Sequence, residues 1–456
     1  MIATRLSEIA RVVRGELHGA DVEVRDPAYI DSRSPEPAGL FVAVAGEHVD
    51  GHDYAAGAHA VLGSRPTEAP TVVVADPVAA LGRLAEVTAG RLDAPVLALT
   101  GSQGKTGTKD LLAHLLGAAD GRCVATRGNL NNEIGVPLTV LRATESTERL
   151  VVEMGARGVG HIAYLCQIAP PTVAAVLNVG SAHIGEFGGV EAIAAAKGEI
   201  VEALPASGTA VLNADDHRVA AMATRTAARV LTFGADGGRG ADVAWRDVVL
   251  DALGRPVFEL GHDGAWLPVT LRQTGAHQVA NAAAAAAMAL AAGLDLAEVA
   301  AGLTTAEAAS PWRMQLTERA DGLLVLNDAY NANPGSMRAA LDALRALGRE
   351  RPGRTVAVLG EMKELGDEHD AAHREVGEAA AGVDVVLVVG DGATGIADGA
   401  RAAGVPDVRL AAGRDDASAW VVENAAPGDV VLVKASRAAA LERVADRVLE
   451  GGDAST

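Results

Sequence analysis

A glycine-rich stretch has the residue types of a phosphate-binding loop. Residues 101–109 read GSQGKTGTK, in which Gly104, Lys105 and Thr106 form the second half of a common phosphate-loop pattern. Such loops aim backbone N–H groups at phosphate oxygens, while the lysine and the hydroxyl residue serve the phosphates and magnesium. The first glycine of that pattern would fall at Leu99. The bare Gly-Lys-Thr triplet also arises by chance, so an ordinary glycine turn is the alternative.

The neighbouring sequence favours nucleotide binding over that alternative. The apolar run VLALT at 96–100 precedes the loop, and KDLLAHLL at 109–116 follows it with helical character. Free N–H groups and the helix dipole at the start of a helix attract anions. We therefore predict a strand, a phosphate loop and a helix in this order.

Three further residues could serve such a site. Glu153 closes the run LVVE, and His183 follows the run VAAVLNV. The ends of neighbouring strands in a doubly wound sheet converge on one crevice, so this carboxylate and imidazole could hold a divalent metal that bridges phosphates. A solvated strand-end glutamate and a loop histidine are the structural alternatives. Lys197, on an amphipathic helix, is by its residue type alone a solvated cation.

Two polar segments lie in the last third of the chain. NDAYNANPGSM at 327–337 places amides, a carboxylate and a tyrosine between a strand and a helix, although a capping turn would use the same residues. LVKASR at 432–437 ends the last apolar run with Lys434 and Arg437. We expect these cations to meet an anionic substrate.

The elements that must position these residues indicate an α/β protein. Short apolar runs bounded by Gly, Asp or Asn alternate with alanine-rich helical stretches, as in parallel sheets covered on both faces. At 456 residues the chain is long enough for three domains. We predict a small mixed α/β domain over 1–91, a central doubly wound parallel sheet of phosphate-loop type over 92–310, and a Rossmann-like domain over 311–456.

Composition excludes several classes of protein. The net charge of -20 disfavours a nucleic-acid binder or translocase, because such proteins normally carry a basic surface. Cys123 and Cys166 are too few for a disulfide-built fold and fit a reducing compartment. No signal-peptide core is present at the start, and the alanine-rich run at 279–294 is too short and weakly apolar to span a bilayer. We expect a cytoplasmic protein without stable membrane insertion, and a monomer.

Ten motifs in order resemble the Mur ligases of peptidoglycan synthesis. They include TGSQGKTGTK, NLNNEIGVPLTVL, VVEMGA, NVGSAHIGEFGG, IAAAKGEI, HQVANAAAA, DAYNANPGSM, LGEMKELG and LVKASR, and the resemblance covers nearly the whole chain. In this family Thr100 and Gly101 take the place of the missing first glycine. YNANP and NNEIGVPLT are most similar to the member that uses ATP to join D-alanyl-D-alanine to UDP-N-acetylmuramoyl-tripeptide through an acyl phosphate.

The resemblance implies roles for individual residues. ATP would be bound by Thr100, Gly101, Ser102, Gln103, Gly104, Lys105, Thr106, Gly107, Asn281, Arg313 and Asp328. Two Mg²⁺ ions would be held by Thr106, Glu153, His183 and a carbamylated Lys197, and the catalytic residues would be Lys105, His183 and Lys197. The substrates would contact Asp31, Ser32, Arg33, Asn132, Tyr330, Asn331, Asn333, Lys434 and Arg437, with the first three near the uridine nucleotide.

Three positions depart from the family pattern. Gly107 replaces a hydroxyl residue, which could loosen the start of the helix that follows. Trp312 and Ala435 each stand where the family usually has glycine. If position 435 requires a positive φ, alanine there would be strained.

Two alternatives remain open from the sequence. A sibling ligase adds a diamino acid to UDP-N-acetylmuramoyl-dipeptide, but it usually carries a D-N-P-R motif that this chain lacks. A non-catalytic nucleotide-binding regulator could keep the fold and lose turnover. The presence of Lys105, Glu153, His183 and Lys197 argues against a regulator.

Overall fold

The computed structural model describes residues 1–46, 49–180, 187, 189–238 and 240–451. The described strands form three main sheets, drawn in turn from the first, middle and last parts of the chain, together with a two-stranded pair near the N-terminus. These three parts are called the N-terminal, middle and third units below. No described helix is long and apolar enough to cross a membrane.

The N-terminal unit is a small mixed sheet with two helices. Its five-stranded sheet has the order β2-β7-β6-β5-β4, in which the inner pairs are parallel and β2 runs antiparallel to β7. The elements are β1 (Thr4–Arg5), α1 (Leu6–Val13), β2 (Glu16–His18), β3 (Glu23–Val24), β4 (Ala28–Tyr29), β5 (Leu40–Val42), β6 (Ala60–Gly63), β7 (Thr71–Val73) and α2 (Pro77–Ala89).

The middle unit contains a nine-stranded sheet of order β16-β15-β14-β13-β12-β11-β8-β10-β9. Seven strands are parallel, and the last two join as an antiparallel extension that the sequence analysis did not predict. The strands are β8 (Val96–Thr100), β9 (Cys123–Ala125), β10 (Arg149–Glu153), β11 (Val173–Val176), β12 (Thr209–Asn213), β13 (Arg229–Ala235), β14 (Val243–Leu250), β15 (Pro256–His262) and β16 (Ala265–Thr270). The helices are α3 (Lys105–Leu115), α4 (Gly135–Val140), α5 (His161–Ile168), α6 (Val190–Glu202), α7 (His217–Ala221), α8 (Gln278–Ala291) and α9 (Leu296–Thr305).

The third unit contains a six-stranded sheet of order β17-β18-β22-β19-β20-β21, parallel except for the edge strand β17. Its strands are β17 (Gln315–Glu318), β18 (Leu324–Asn327), β19 (Thr355–Gly360), β20 (Val385–Val389), β21 (Asp407–Ala411) and β22 (Val430–Lys434). Its helices are α10 (Pro334–Arg349), α11 (His369–Glu378), α12 (Thr394–Ala402), α13 (Arg414–Asn424) and α14 (Glu442–Glu450).

The alanine-rich segment forms the buried helix α8. Its residues 282–289 are fully buried against one face of the middle sheet, together with Leu97, Leu99 and Phe233. Small side chains allow the helix to approach the strands closely, which explains how a core with few aromatic residues is filled. The interpretation of this segment as a core helix is confirmed.

The N-terminal and middle units share one hydrophobic core. Leu81 and Leu84 of α2 belong to the same buried cluster as Leu138 of α4 and Ile162 of α5. The third unit has its own clusters on the two faces of its sheet. The predicted α/β class is confirmed, and the carboxyl ends of the parallel strands set the edge at which polar residues can gather.

Candidate functional site

A cavity of about 680 Å³ lies between the middle and third units. The polar residues that line it come from the phosphate loop, from the ends of β10, β11, β18 and β22, and from α6 and α8. Those that the sequence analysis had selected are Ser102, Gln103, Gly104, Lys105, Thr106, Gly107, Asn132, Glu153, Lys197, Asn281, Arg313, Asp328, Tyr330, Asn331, Asn333, Lys434 and Arg437.

The phosphate loop connects β8 to α3 as predicted. Gly104, at φ +80°, precedes the first helical residue, Lys105, whose ammonium donates to the Gly101 carbonyl at 2.6 Å. Burial lowers the pKa of Lys105, the nearby Arg313 lowers it further, and Glu153 opposes both. A partly buried ammonium at the start of a helix is suited to phosphate.

Asn178 fixes the outer part of this loop, a role that the sequence analysis missed. The Gln103 N–H donates to Asn178 Oδ1 at 3.0 Å, and Asn178 Nδ2 donates to the Gln103 carbonyl at 3.1 Å. Asn178 follows β11, the parallel neighbour of β8. Asn178 reaches the loop because these two strands are adjacent. The sequence does not show that adjacency.

Helix α8 packs directly against the loop through Asn281. A Cβ atom built on Gly104 would lie 2.4 Å from Asn281 Oδ1, and one on Gly107 would lie 3.2 Å from Asn281 Nδ2. The same amide donates to Gln278 Oε1 at 2.9 Å. Gly107 therefore leaves room for this amide pair, and α3 is continuous from Lys105 to Leu115 without the loosening expected at its start.

Glu153 is held at the end of β10 by two oriented donors. The Thr106 hydroxyl donates to Glu153 Oε2 at 3.0 Å, and Asn131 Nδ2 donates to Glu153 Oε1 at 2.7 Å. Glu153 is only 1% exposed, so the interpretation as a solvated strand-end residue is wrong. Asn131 was not selected from the sequence, although it adjoins the selected Asn132.

Lys197 is buried in the cavity wall. Only 5% of it is exposed, and no described carboxylate forms an ion pair with it. Burial, with the nearby charge of Lys105, holds the pKa of the amine well below its ordinary value. The interpretation as a solvated helical cation is therefore wrong. Lowering the pKa of a buried amine increases the fraction of its neutral, nucleophilic form.

Side chains on both sides of Lys197 anchor its helix. Arg225 donates to the carbonyls of Ala194 and Ala195 at 3.2 and 2.8 Å, and it lies where any side chain on Gly198 would be. Glu199 accepts from the backbone N–H of Gly160 and Ala163 at the start of α5, at 2.5 and 2.9 Å. These contacts fix the direction from which the Lys197 side chain enters the cavity.

Lys434 does not face the cavity as a free cation, contrary to expectation. It is 1% exposed and donates to Asp328 Oδ2 at 2.5 Å and to the Asn331 carbonyl at 2.8 Å. The other carboxylate oxygen, Asp328 Oδ1, accepts from the Met314 N–H at 3.0 Å. Lys434 thus joins the end of β22 to the loop after β18 and to the segment that enters the third unit.

Two arginines lie on aromatic rings at the entrance to the third unit. The Arg313 guanidinium is 4.0 Å from the centre of the Tyr330 ring, and the Arg437 guanidinium is 4.5 Å from that of Trp312. Trp312 has φ +58°, in the left-handed region that favours glycine. The backbone conformation at this position is therefore one that glycine adopts more easily than tryptophan. The buried Arg313 Nε atom has no hydrogen-bond partner.

Several selected amides also cap helices. Asn333 forms a capping box with Ser336 at the start of α10, at 2.9 and 3.1 Å. Asn132 Oδ1 accepts from the Gly135 N–H at 2.9 Å, and Asn331 Oδ1 accepts from the Ala332 N–H at 2.9 Å. The capping interpretation of residues 327–337 therefore holds for Asn333, and all three amides line the cavity.

Five selected residues in the described part of the chain are not among those that line the cavity, namely Asp31, Ser32, Arg33, Thr100 and Gly101. Asp31, Ser32 and Arg33 lie in the N-terminal unit, where Arg33 Nη2 pairs with Asp31 Oδ2 at 2.8 Å and holds the pKa of that carboxyl at about 2. Thr100 is buried beneath the loop, and its hydroxyl has no partner. His183 lies outside the described residues.

Ala435 is not strained. It is fully buried and does not belong to the described residues with positive φ. Its Cβ atom lies 2.8 Å from where a Cβ on Gly360 would be. Gly360 thus provides the space that Ala435 occupies, and the conditional expectation of strain does not apply.

The middle and third units touch around the cavity. Gln103 Oε1 would be 2.8 Å from a Cβ on Gly335, at the start of α10. A Cβ atom built on Gly275 would likewise lie close to the Met314 side chain, and one built on Gly254 close to the Leu347 side chain. The phosphate loop and the third unit therefore face one another at contact distance.

Comparison with known proteins identifies relatives along the whole chain. A family model described as the Mur ligase middle domain matches residues 99–289, and one described as the Mur ligase glutamate ligase domain matches residues 312–437. The chain is 44% identical to UDP-N-acetylmuramoyl-tripeptide--D-alanyl-D-alanine ligase of Mycobacterium tuberculosis strain H37Rv, over 98% of each chain. It is 38% identical to the Escherichia coli K12 protein of the same name, over 99% of this chain and 100% of that one.

Solved structures resemble the chain to a similar extent. MurF from Acinetobacter baumannii superposes with a TM-score of 0.85 at 31% identity, covering 98% of this chain and 99% of that one. MurF ligase from Thermotoga maritima, solved in complex with ADP, gives 0.79 at 32% identity, covering 94% and 99%. These similarities extend over all three units.

Proposed function

The chain belongs to the Mur ligase family, and we propose that it is the ligase that uses ATP to join D-alanyl-D-alanine to UDP-N-acetylmuramoyl-tripeptide. The observation that carries this proposal is the cavity, in which a phosphate loop faces cationic and amide side chains of a separate unit. Such a site suits a reaction in which ATP meets a second anionic substrate under exclusion of water.

The reaction forms an amide in two transfers. A carboxylate oxygen of the tripeptide attacks the γ-phosphorus of ATP, and ADP leaves with the electrons of the broken P–O bond. The neutral amine of D-alanyl-D-alanine then attacks the acyl carbon, the nitrogen loses one proton, and phosphate leaves from the tetrahedral intermediate with the electrons of the broken C–O bond. Both transfers bring anions together, so positioned cations supply most of the protein's contribution.

We assign the ATP site to residues on both sides of the cavity. Lys105 neutralises the β- and γ-phosphate oxygens, and the loop from Thr100 to Gly107 supplies backbone donors. We assign Asn281, which lies against Gly104, to the adenine. Arg313 reaches the nucleotide from the third unit, and Asp328 contributes by holding Lys434 and the Met314 N–H.

The residues fit magnesium, which prefers carboxylate and hydroxyl oxygens. Thr106 and Glu153 already lie 3.0 Å apart in a buried pocket, and Lys197 as a carbamate, with His183, would complete the donor set. No cluster of three acidic, histidine or cysteine ligands occurs among the described residues, and a carbamate on Lys197 would add a carboxylate-like ligand to them. Bound magnesium would neutralise phosphate charge as the γ-phosphoryl group moves.

Carbamylation of Lys197 has a physical basis in its burial. A neutral amine attacks the carbon of CO₂ and releases one proton, which gives a carbamate with the charge of a carboxylate. An ordinary lysine is almost fully protonated near pH 7, whereas the pKa of Lys197 is far lower because of burial and Lys105. The side chain thereby changes from a cation that repels magnesium into a ligand.

The substrates divide between the units. We propose that residues 1–91, with Asp31, Ser32 and Arg33, bind the uridine nucleotide, that 92–310 bind ATP, and that 311–456 bring the dipeptide. Tyr330, Asn331, Asn333 and Arg437 line the cavity on that last side, with Asn132 opposite. Lys434 acts there through its bonds to Asp328 and Asn331.

Phosphate release from ATP tests the proposal. With magnesium and UDP-N-acetylmuramoyl-tripeptide, release should depend on D-alanyl-D-alanine and yield the pentapeptide product by mass spectrometry. The Lys105→Met variant serves as the inactive control. Release with a diamino acid and the dipeptide precursor would assign the sibling reaction instead, and release with neither pair would indicate a regulator.

A further inference from the structure

Lys109 is a buried cation to which the proposed reaction gives no role. It lies on α3, one turn after Lys105, and only 3% of it is exposed. Its ammonium pairs with Asp110 Oδ1 at 2.5 Å and donates to the carbonyl of Thr126 at 2.8 Å. Removing an ammonium from water costs free energy unless a counter-ion and hydrogen-bond acceptors replace the water. Both are present here, so specific partners fix the position of the Lys109 side chain.

Thr126 connects Lys109 to Glu153, the carboxylate assigned to magnesium. It follows β9 and is 2% exposed. Its backbone N–H donates to the Val151 carbonyl at 3.0 Å, which continues the pairing of β9 with β10 past the end of β9. Its hydroxyl oxygen accepts from the Glu153 N–H at 3.0 Å. The carbonyl that Lys109 binds and the hydroxyl that holds the Glu153 backbone therefore belong to one residue.

Helix α3 is joined to Glu153 at two places. Thr106 and Lys109 are three residues apart, a spacing that places them on one face of the helix. The Thr106 hydroxyl donates directly to the Glu153 carboxylate at 3.0 Å. Lys109 instead reaches the Glu153 backbone through Thr126. Because α3 begins at the phosphate loop, these contacts set the distance between the loop and the carboxylate.

We propose that Lys109 is a positioning residue that acts through Thr126 to hold the Glu153 carboxylate in place for magnesium, an inference that rests on the magnesium–ATP site of the proposed function. Magnesium demands near-ideal octahedral geometry, so a small displacement of a carboxylate ligand lowers its affinity. The described contacts of the Lys109 ammonium do not include the loop that binds the phosphates. Loss of Lys109 should therefore weaken magnesium binding more than nucleotide binding.

Isothermal titration of ADP into the whole chain, in EDTA and again in excess Mg²⁺, tests this assignment without turnover. The ratio of the two affinities measures the coupling between the nucleotide and magnesium. In Lys109→Met that ratio should fall about tenfold, as is typical for residues that orient metal ligands. The ADP affinity in EDTA should stay unchanged. Lys109→Arg, which keeps a donor for the Thr126 carbonyl, should restore part of the ratio.

Further variants separate the hydrogen bonds from the stability of the fold. Thr126→Val removes only the hydroxyl and should lower the ratio as Lys109→Met does, whereas Thr126→Ser should keep it. Arg319→Met is the matched control, because Arg319 also donates to a carbonyl, that of Val448 at 2.7 Å, and pairs with Asp321 at 2.6 Å. Arg319 does not line the cavity, so this control should lower Tm and leave both ADP affinities unchanged.

The outcomes separate this inference from the function on which it rests. An unchanged ratio in either Lys109→Met or Thr126→Val, or an equal loss of ADP affinity with and without Mg²⁺, overturns the positioning role alone. A wild type whose ADP affinity does not respond to Mg²⁺ overturns that role together with the assignment of Glu153 to magnesium. Absence of D-alanyl-D-alanine-dependent phosphate release, with the ratio lowered in both variants, overturns the proposed ligation and supports the positioning role. If Lys109→Met fails to fold, Thr126→Val and Thr126→Ser decide the outcome.

Discussion

Lys105 and Lys197 are lysines whose surroundings disfavour the charged form. Lys197 is buried and Lys105 is partly buried, and a neighbouring cation lowers the pKa of each, Arg313 for Lys105 and Lys105 for Lys197. The site thus contains repulsion between positively charged groups, which Glu153 opposes at Lys105. ATP and a carbamate on Lys197 would each relieve it.

Replacing Lys197 with alanine should lower turnover about a hundredfold or more, because a ligand of the phosphoryl-transfer site is lost. Formate or acetate should restore part of the rate by occupying the vacated space. In the wild type, removal of CO₂ should lower the rate and bicarbonate should restore it, and a ¹³C carbamate signal should appear with labelled bicarbonate. Full activity of Lys197→Ala without rescue would contradict the carbamate.

Gly104→Ala should weaken ATP binding about tenfold, because the new Cβ would meet Asn281 Oδ1 at 2.4 Å in a residue at φ +80°. The matched control is Gly121→Ala, at φ +75° with open space around the added methyl. That control should lose about 1 kcal/mol of stability and leave the KM for ATP unchanged. Equal KM values in the two variants would show that contact with Asn281 does not position the loop.

At the scale of secondary-structure elements, the N-terminal ends of helices form much of the cavity wall. Helix α3 begins at the phosphate loop, α4 begins beside Asn132, and α10 begins at Asn333 with Gly335 against Gln103. The capping box of α10 therefore also positions the loop that carries Asn331 and Asn333. A capping residue here acts on function through the placement of a helix end.

Asn333→Ala should remove the capping box of α10 and cost about 1 kcal/mol of stability. Asp295→Ala removes the capping box of α9, and no residue of α9 lines the cavity. The two variants should show similar small decreases in Tm, but only Asn333→Ala should lower kcat/KM. A loss of activity in both would indicate general destabilisation.

At the scale of the whole molecule, the three units do not share their hydrophobic cores equally. The N-terminal and middle units share one core, whereas the third unit has separate clusters and meets the middle unit around a polar cavity. Cooperative unfolding follows shared apolar contacts. The third unit can therefore move relative to the other two at small cost in buried apolar area, as a ligase that admits two large substrates requires.

Calorimetry should resolve two unfolding transitions, one for residues 1–310 and one for 311–456. Leu84→Ala, in the shared core, should lower the unfolding free energy of the first transition alone, and the matched Leu432→Ala that of the second alone. Each loss should be about 2–5 kcal/mol. ADP should raise both transitions if it bridges the units. A single transition lowered by both variants would show that the third unit is coupled more tightly than its core indicates.

The sequence alone determined the class, the phosphate loop and 17 of the 41 residues that line the cavity. Apolar runs, glycines and the Gly-Lys-Thr triplet are local patterns that predict strands, turns and the loop. The order of the motifs along the chain indicates the family. Only the tertiary structure decided that Lys197 is buried with no ion pair to a described carboxylate, that Lys434 pairs with Asp328, and that Asn131 and Asn178 orient Glu153 and the loop. Burial and partners depend on which strands are adjacent and on how the units meet, which no local pattern records.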